Sequence, residues 1–207
     1  DDTDAICVGT WPYMHRTLVM AALDNDKHVL TEARMCMNAS EAQEMLDASR
    51  QVPHLVTQIV PAPQLLQVEP TLIDLVSNGY LGELLAVRLR VSDQHGRADR
   101  SDSFVDYDGE LHWRQDRNYS GYNIMGLGIW YEAIMRLVGP ATRVMAMTKV
   151  YVPRRKDENG VMRTISIPDH VNVLCEMACG AQADLSWSTA TGLQMGQELW
   201  LFGSEAT

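Results

Sequence analysis

The feature that most constrains this chain is a short apolar run without alternation, Ala5-Ile6-Cys7-Val8-Gly9, followed at once by a helical pattern from about Tyr13, with Leu18, Val19 and Ala22 at helical spacing. A strand apolar on both faces has no wet side. It needs helices above and below, the condition of a parallel sheet. The same unit then recurs. Asp24-Asn25-Asp26-Lys27 reads as a turn and His28-Val29-Leu30-Thr31 as a second short strand. Asn38-Ala-Ser-Glu41 has the form of a capping box that opens a helix to about Arg50, and His54 to Val60 reads as a third strand. Strands separated by helices imply parallel pairing with right-handed crossovers, so residues 1–62 are expected to be part of a doubly wound α/β domain.

Beyond that point the periodicity changes, and residues 63–207 are expected to form a second, α+β domain. A helix is predicted from Pro70, a favoured first helical position, to the left-handed stop at Asn78-Gly79. Leu85, Val87, Leu89 and Val91 alternate with Ala86, Arg88, Arg90 and Ser92, the mark of a half-buried strand. Further strands are predicted over Arg143–Val152, Val161–Ile167, His170–Cys179, Ala181–Thr189 and Glu198–Phe202, with turns at Pro153-Arg154 to Gly160 and at Cys179-Gly180. Consecutive strands joined by short turns give an open, mostly antiparallel sheet. A helix from about Tyr122 to Val138, stopped by Gly139-Pro140, is expected to cover it. The polar stretch from Ser92 to Gly121 reads either as a lid over a site or as a solvated excursion.

Charge narrows the partners. Lys plus Arg number 17 against 27 Asp plus Glu, a formal charge of -10, which argues against nucleic acid and against an anionic membrane. The longest stretch without formal charge, Gln51 to Val68, holds Pro53, Pro61, Pro63 and four glutamines, so it is no membrane span. Asp1, Asp2 and Asp4 at the start do not resemble the basic segment of a secretory signal. Cys175 and Cys179 lie on one predicted strand, ~13 Å apart and beyond the ~7 Å reach of a disulfide. Reduced thiols at Cys7, Cys36, Cys175 and Cys179 are therefore expected, which suits a cytoplasmic location.

A dinucleotide site of the usual kind needs a glycine-rich turn between the first strand and a helix N-terminus. This chain has none, and Gly126-Leu-Gly128 falls inside a helical pattern, where close helix packing accounts for it. Yet Gly9-Thr10-Trp11-Pro12-Tyr13-Met14-His15, Ala21-Ala22-Leu23, Lys27-His28-Val29-Leu30-Thr31-Glu32, Asn38-Ala39-Ser40-Glu41-Ala42, Gly79-Tyr80-Leu81-Gly82-Glu83 and Leu127-Gly128-Ile129 follow one another in order and spacing. As a string they resemble the Gfo/Idh/MocA oxidoreductase family, which includes glucose-fructose oxidoreductase and inositol dehydrogenase.

The resemblance implies an NAD(P)-binding Rossmann domain, of which residues 1–62 match the C-terminal part, and a substrate-binding sheet that also mediates homo-oligomers. It implies a sequence shortened at both ends relative to the family. It places Thr10, Trp11 and His15 along the cofactor, and matches Glu32 to the acid of a Glu-Lys-Pro motif near the nicotinamide ribose. Ala33 and Arg34 stand where that motif has Lys and Pro. Gly126 and Trp130 stand where the family's later helix has Asp and His.

Removing hydride from an alcohol carbon needs a base for the hydroxyl proton and a cation for the developing alkoxide. Ala33, Gly126 and Trp130 supply neither, so the chemistry is expected from Arg34, His112 and Tyr122, with Arg34 a fixed charge and a poor base. Each has a plainer reading. His112 is a loop anchor or a proton-transfer group, and Tyr122 and Asn123 satisfy local backbone or face a cofactor cleft. Tyr131 and Glu132 are further candidates whose plainer reading is packing and helix surface, and His170 reads as structural. Asp106, Asp108, Glu110 and His112 are too loosely spaced for a metal site, and none is expected. The expected function is NAD(P)-dependent oxidation or reduction of a sugar, polyol or related carbohydrate. The alternatives are a catalytically degenerate protein that dimerises through its sheet or binds a ligand, and an NAD-assisted glycosidase.

Overall fold

The computed structural model describes residues 2–61, 66–92, 110–124, 126–190 and 196–207. The chain divides into two compact units, residues 1–62 with 111–123, and residues 63–110 with 124–207. The first begins with β1 (Ala5–Val8), α1 (Pro12–Asp24), β2 (His28–Thr31), α2 (Ala39–Gln51) and β3 (Thr57–Ile59). The three strands are parallel in the order β1-β2-β3, with Val8 beside Thr31 and Thr31 beside Ile59. Val19, Ala22 and Leu23 of α1 and Met45 of α2 bury against Val8 and Val29 of the strands. This is the partial Rossmann layer the strand–helix alternation predicts. Asn38 caps α2 by accepting the Glu41 N–H at 3.0 Å. Glu41 reaches back one residue further than an ideal box and accepts the Met37 N–H at 3.0 Å.

After α3 (Glu69–Ser77) and β4 (Leu84–Ser92), the segment from Leu111 to Asn123 belongs again to the first unit. It carries a single-turn helix, Trp113–Gln115, and α4 (Arg117–Ser120), whose N-terminus Asp116 caps by accepting the Asn118 N–H. The rest of the polar stretch read either as a lid or as a solvated excursion, residues 93–109, lies outside the described residues, Asp106 and Asp108 among them.

The second unit continues with α5 (Leu127–Val138), β5 (Ala141–Lys149), β6 (Arg154–Lys156), β7 (Met162–Thr164), β8 (His170–Met177), β9 (Gln182–Ser188) and β10 (Gln197–Gly203). Five strands form one sheet in the order β10-β4-β9-β8-β5. Three of its pairings are antiparallel, while β4 and β9 run parallel, with Leu89 beside Leu185. Val87, Leu89, Leu185, Val171 and Trp187 share the core with Trp130, Ile134 and Leu137 of α5, so that helix does cover the sheet.

Two local expectations need correction. The helix expected from Tyr122 begins only at Leu127, because Gly121 and Gly126 take φ of +67° and +82°, which no helical residue adopts. The segment expected as a turn at Pro153 to Gly160 contains β6, a polar strand paired with β7.

Candidate functional site

The site is built at the carboxyl ends of β1 and β2, where open α/β sheets bind ligands. β1 ends into Gly9-Thr10-Trp11, and Pro12 then starts α1. Thr10 and Trp11 are exposed, with Thr10 donating only a long 3.4 Å bond to the Trp11 carbonyl. β2 ends into Glu32, whose N–H donates to the Val8 carbonyl at 3.0 Å while its side chain stands exposed. Ala33 follows, exposed, and the Ala33–Arg34 peptide is cis.

His15 ties these loops together from inside. Its ring is fully buried, with Nδ1 2.8 Å from the Arg34 carbonyl and Nε2 2.8 Å from the Thr10 carbonyl. Carbonyl oxygens only accept, so both bonds are made together only when the ring carries two N–H groups. His15 reaches any ligand through the loops it holds.

The segment 111–123 completes the site. His112 caps the turn at Trp113–Gln115, its Nδ1 accepting the Arg114 N–H at 3.2 Å, which places the ring proton on Nε2. Tyr122 is 63% exposed and its hydroxyl oxygen accepts from Arg117 Nη1 at 2.5 Å, so the hydroxyl keeps its own proton to donate. Asn123 Nδ2 donates to the Cys36 carbonyl at 3.2 Å and the Ser120 hydroxyl to the Arg114 carbonyl at 2.8 Å. At Gly121 a side chain would meet the Met37 carbonyl oxygen at 2.1 Å, so these backbones touch. The expected residues Arg34, His112 and Tyr122 thus belong to the same unit as Thr10, Trp11, His15, Glu32 and Ala33.

Sequence reasoning passed over an aromatic cluster here. Trp11 lies 4.6 Å from Tyr119 edge to face, 6.4 Å from Tyr13 and 6.5 Å from Trp113, centroid to centroid. The Arg114 guanidinium sits 4.1 Å over the Trp113 ring. Arg34, mostly enclosed, has its pKa lowered to about 10 by burial and then by the Arg114 charge, so it remains a cation at neutral pH. Burial also lowers Arg114 and raises the thiol of Cys36, whose Sγ donates to the Asn38 carbonyl. The available signal was Trp113, Tyr119 and Tyr122 interleaved with Arg114 and Arg117 in an otherwise polar stretch.

In the second unit, Gly126 caps α5, and a side chain there would meet Trp187 Nε1 at 2.7 Å. Trp130 is a core residue, 5% exposed. Tyr131 accepts the Ala141 N–H, Glu132 pairs with Arg136, and His170 faces Asn172 across 3.1 Å. Among the described residues no cluster of His, Cys, Asp and Glu could hold a metal ion, and no helix is long and apolar enough to cross a membrane.

No curated protein matches the chain. Among solved structures, an NAD binding oxidoreductase from Klebsiella pneumoniae superposes with a TM-score of 0.78 at 21% identity, over 97% of this chain and 52% of its own. Levoglucosan dehydrogenase in complex with NADH and L-sorbose gives 0.76 at 18% identity, over 98% and 53%. The super-repressor mutant of Gal80p from Saccharomyces cerevisiae gives 0.77 at 14% identity, over 98% and 55%. The chain therefore spans about half the length of the solved proteins it resembles. Residues 1–58 match an oxidoreductase family with an NAD-binding Rossmann fold, and residues 71–207 match the GFO/IDH/MocA C-terminal domain. The string of short motifs, the parallel layer and the mixed sheet agree with both matches: the chain belongs to the GFO/IDH/MocA oxidoreductase family.

Proposed function

We propose that this chain supplies the nicotinamide-proximal and substrate-binding surfaces of an NAD(P)-dependent oxidoreductase acting on a sugar, polyol or related carbohydrate. The observation that carries the reading is the convergence of Thr10, Trp11, Glu32 and Arg34 at the carboxyl ends of adjacent parallel strands, with His112 and Tyr122 in the same unit. Levoglucosan dehydrogenase, of the same fold, is recorded with NADH and with L-sorbose.

These residues fit the nicotinamide-ribose half of a dinucleotide. Glu32 offers an exposed carboxylate to sugar hydroxyls and Trp11 an exposed ring. The glycine-rich turn that would hold the pyrophosphate is not among the 207 residues. When bound, NAD(P) supplies the hydride carrier. His15 fixes the Thr10 and Arg34 backbones against one another, and Arg34 gives the site a permanent positive charge. Tyr122, with its hydroxyl proton retained, is set to donate a proton to a carbonyl under reduction, and the neutral His112 ring to polarise that carbonyl by a hydrogen bond. Association of copies through the open sheet face and a reducing cytoplasmic setting, suited to four unpaired thiols, belong to the same proposal.

The test is oxidation of a panel of hexoses, pentoses and polyols with NAD and NADP, and reduction of the matching ketoses and lactones, followed by nicotinamide absorbance. Turnover with at least one carbohydrate is expected; none across the panel with either cofactor refutes the reading.

A second reading is a ligand-sensing protein without catalysis. It is favoured by Gly126, where Trp187 leaves no room for the acid the family carries there, and by the fold shared with a repressor. Saturable sugar or NADH binding without turnover in any condition would establish it.

A further inference from the structure

Among the described residues of the first unit, Arg34 and Arg114 are partly buried cations without an ion-pair partner. Arg34 Nη1 is sealed from solvent, with no hydrogen-bond partner among the described residues. Among the described residues no acid lies within ion-pair distance of Arg34 or Arg114. Arg16 pairs with Glu44, and Asp116, the nearest acid in sequence to Arg114, caps α4 instead. A buried guanidinium without a counter-charge opposes folding, and like charges side by side oppose it further. The backbone nevertheless fixes both: His15 grips the Arg34 carbonyl and Ser120 the Arg114 carbonyl, while Gly121 and Asn123 press the two segments together at Met37 and Cys36. Arg114 sits over the Trp113 ring, and Trp113 leads to Trp11 and Tyr119, an aromatic cluster with exposed rings of the kind that stack on sugar faces.

We propose that Arg34 and Arg114 form a site for a substrate oxyanion, so that the carbohydrate taken by this protein carries a carboxylate or a phosphate, held by the two guanidinium groups while the sugar ring packs on the neighbouring aromatic cluster. Planar guanidinium groups bind such oxyanions through paired N–H bonds, and Arg34 and Arg114, both only partly buried, keep accessible edges for that contact. The site rests on the oxidoreductase reading and refines it: the charge of Arg34 serves recognition of an ionised group on the substrate, leaving the proton to Tyr122.

Calorimetric titration of the protein at low salt with D-glucose, D-glucuronate and D-glucose 6-phosphate tests this. At least one ionised sugar is expected to bind about tenfold to a hundredfold more tightly than glucose, and which one does so separates carboxylate from phosphate. Arg34→Gln and Arg114→Gln should each abolish the preference, whereas Arg50→Gln, a change at an exposed surface pair, should not. Arg34→Gln should also melt no lower than the parent, since it removes an unpaired buried charge. A structural arginine would instead lower the melting temperature, and that result overturns the proposal even if binding falls. Should Arg34→Gln not fold, a preference surviving in Arg114→Gln overturns it equally. Equal binding of glucose and both ionised sugars, with NADH still bound, sinks the oxyanion site alone. Failure to bind NADH or any of the three sugars sinks the oxidoreductase reading with it.

Discussion

His15 shows how much one buried side chain organises here. It spans two loops that end neighbouring strands, and both its nitrogens are spent on backbone. Replacement by alanine leaves two carbonyls unpaired and a ring-sized hole, so His15→Ala is expected to cost about 2–4 kcal/mol by urea unfolding. It should also weaken sugar binding, although the ring itself faces no ligand. Gly126 is the opposite case, a residue defined by the lack of a side chain. With φ of +82° and Trp187 at its back, Gly126→Asp is expected to destabilise by roughly 1–3 kcal/mol and to restore no activity, measured by unfolding and by turnover. The thiols divide the same way. Exposed Cys7 and Cys179 should react with a maleimide in the native protein, while Cys36 and Cys175, buried and with raised pKa, should react only on unfolding, as mass spectrometry of the labelled protein would show.

At the scale of elements, the β6–β7 hairpin depends on Asp157, which accepts the Asn159 and Val161 N–H groups at 2.9 Å each and the Arg163 Nε–H at 2.8 Å. The Arg163 guanidinium holds the carboxyl below its usual range. A depressed acid stabilises the folded hairpin above the unfolded pKa of about 3.9 and loses that contribution as pH falls through the lower folded value. The protection factor at Val161, which is the exchange rate corrected for the intrinsic rate at each pH, should therefore fall below about pH 4 more steeply in the parent than in Asp157→Asn. This hairpin also marks a limit of sequence reading. Arg154-Arg155-Lys156 has no apolar alternation, so its strand character comes wholly from pairing with Met162–Thr164. The α2 cap, by contrast, was legible because Asn38 and Glu41 act on backbone within four residues of themselves. The helix expected from Tyr122 failed because periodicity does not report that Gly121 and Gly126 adopt positive φ. The Arg34–Arg114 pair was illegible because it joins segments distant in sequence, and only the fold shows that no acid among the described residues pairs with them.

For the whole molecule, sheet order and residue composition point to different surfaces. The face of the five-stranded sheet opposite α5 carries Trp200, Leu174, Met145 and Met147, which are 49%, 57%, 73% and 76% exposed. Exposed apolar side chains in that number on one sheet face favour association. Met145→Asp with Met147→Asp is expected to shift the protein toward monomer in sedimentation velocity without lowering its melting temperature, and an unchanged assembly would remove this face from consideration. The proposed ligand surface belongs to the other unit, at the carboxyl ends of β1 and β2. Its orientation toward a nicotinamide is the claim on which both the catalytic and the oxyanion proposals stand. The most direct measurement is titration of the protein with NADH, read as energy transfer from tryptophan to the reduced nicotinamide. A saturable sensitised emission that falls sharply in Trp11→Leu and weakens in Glu32→Ala is predicted. A signal that never saturates, or one indifferent to both substitutions, would contradict it.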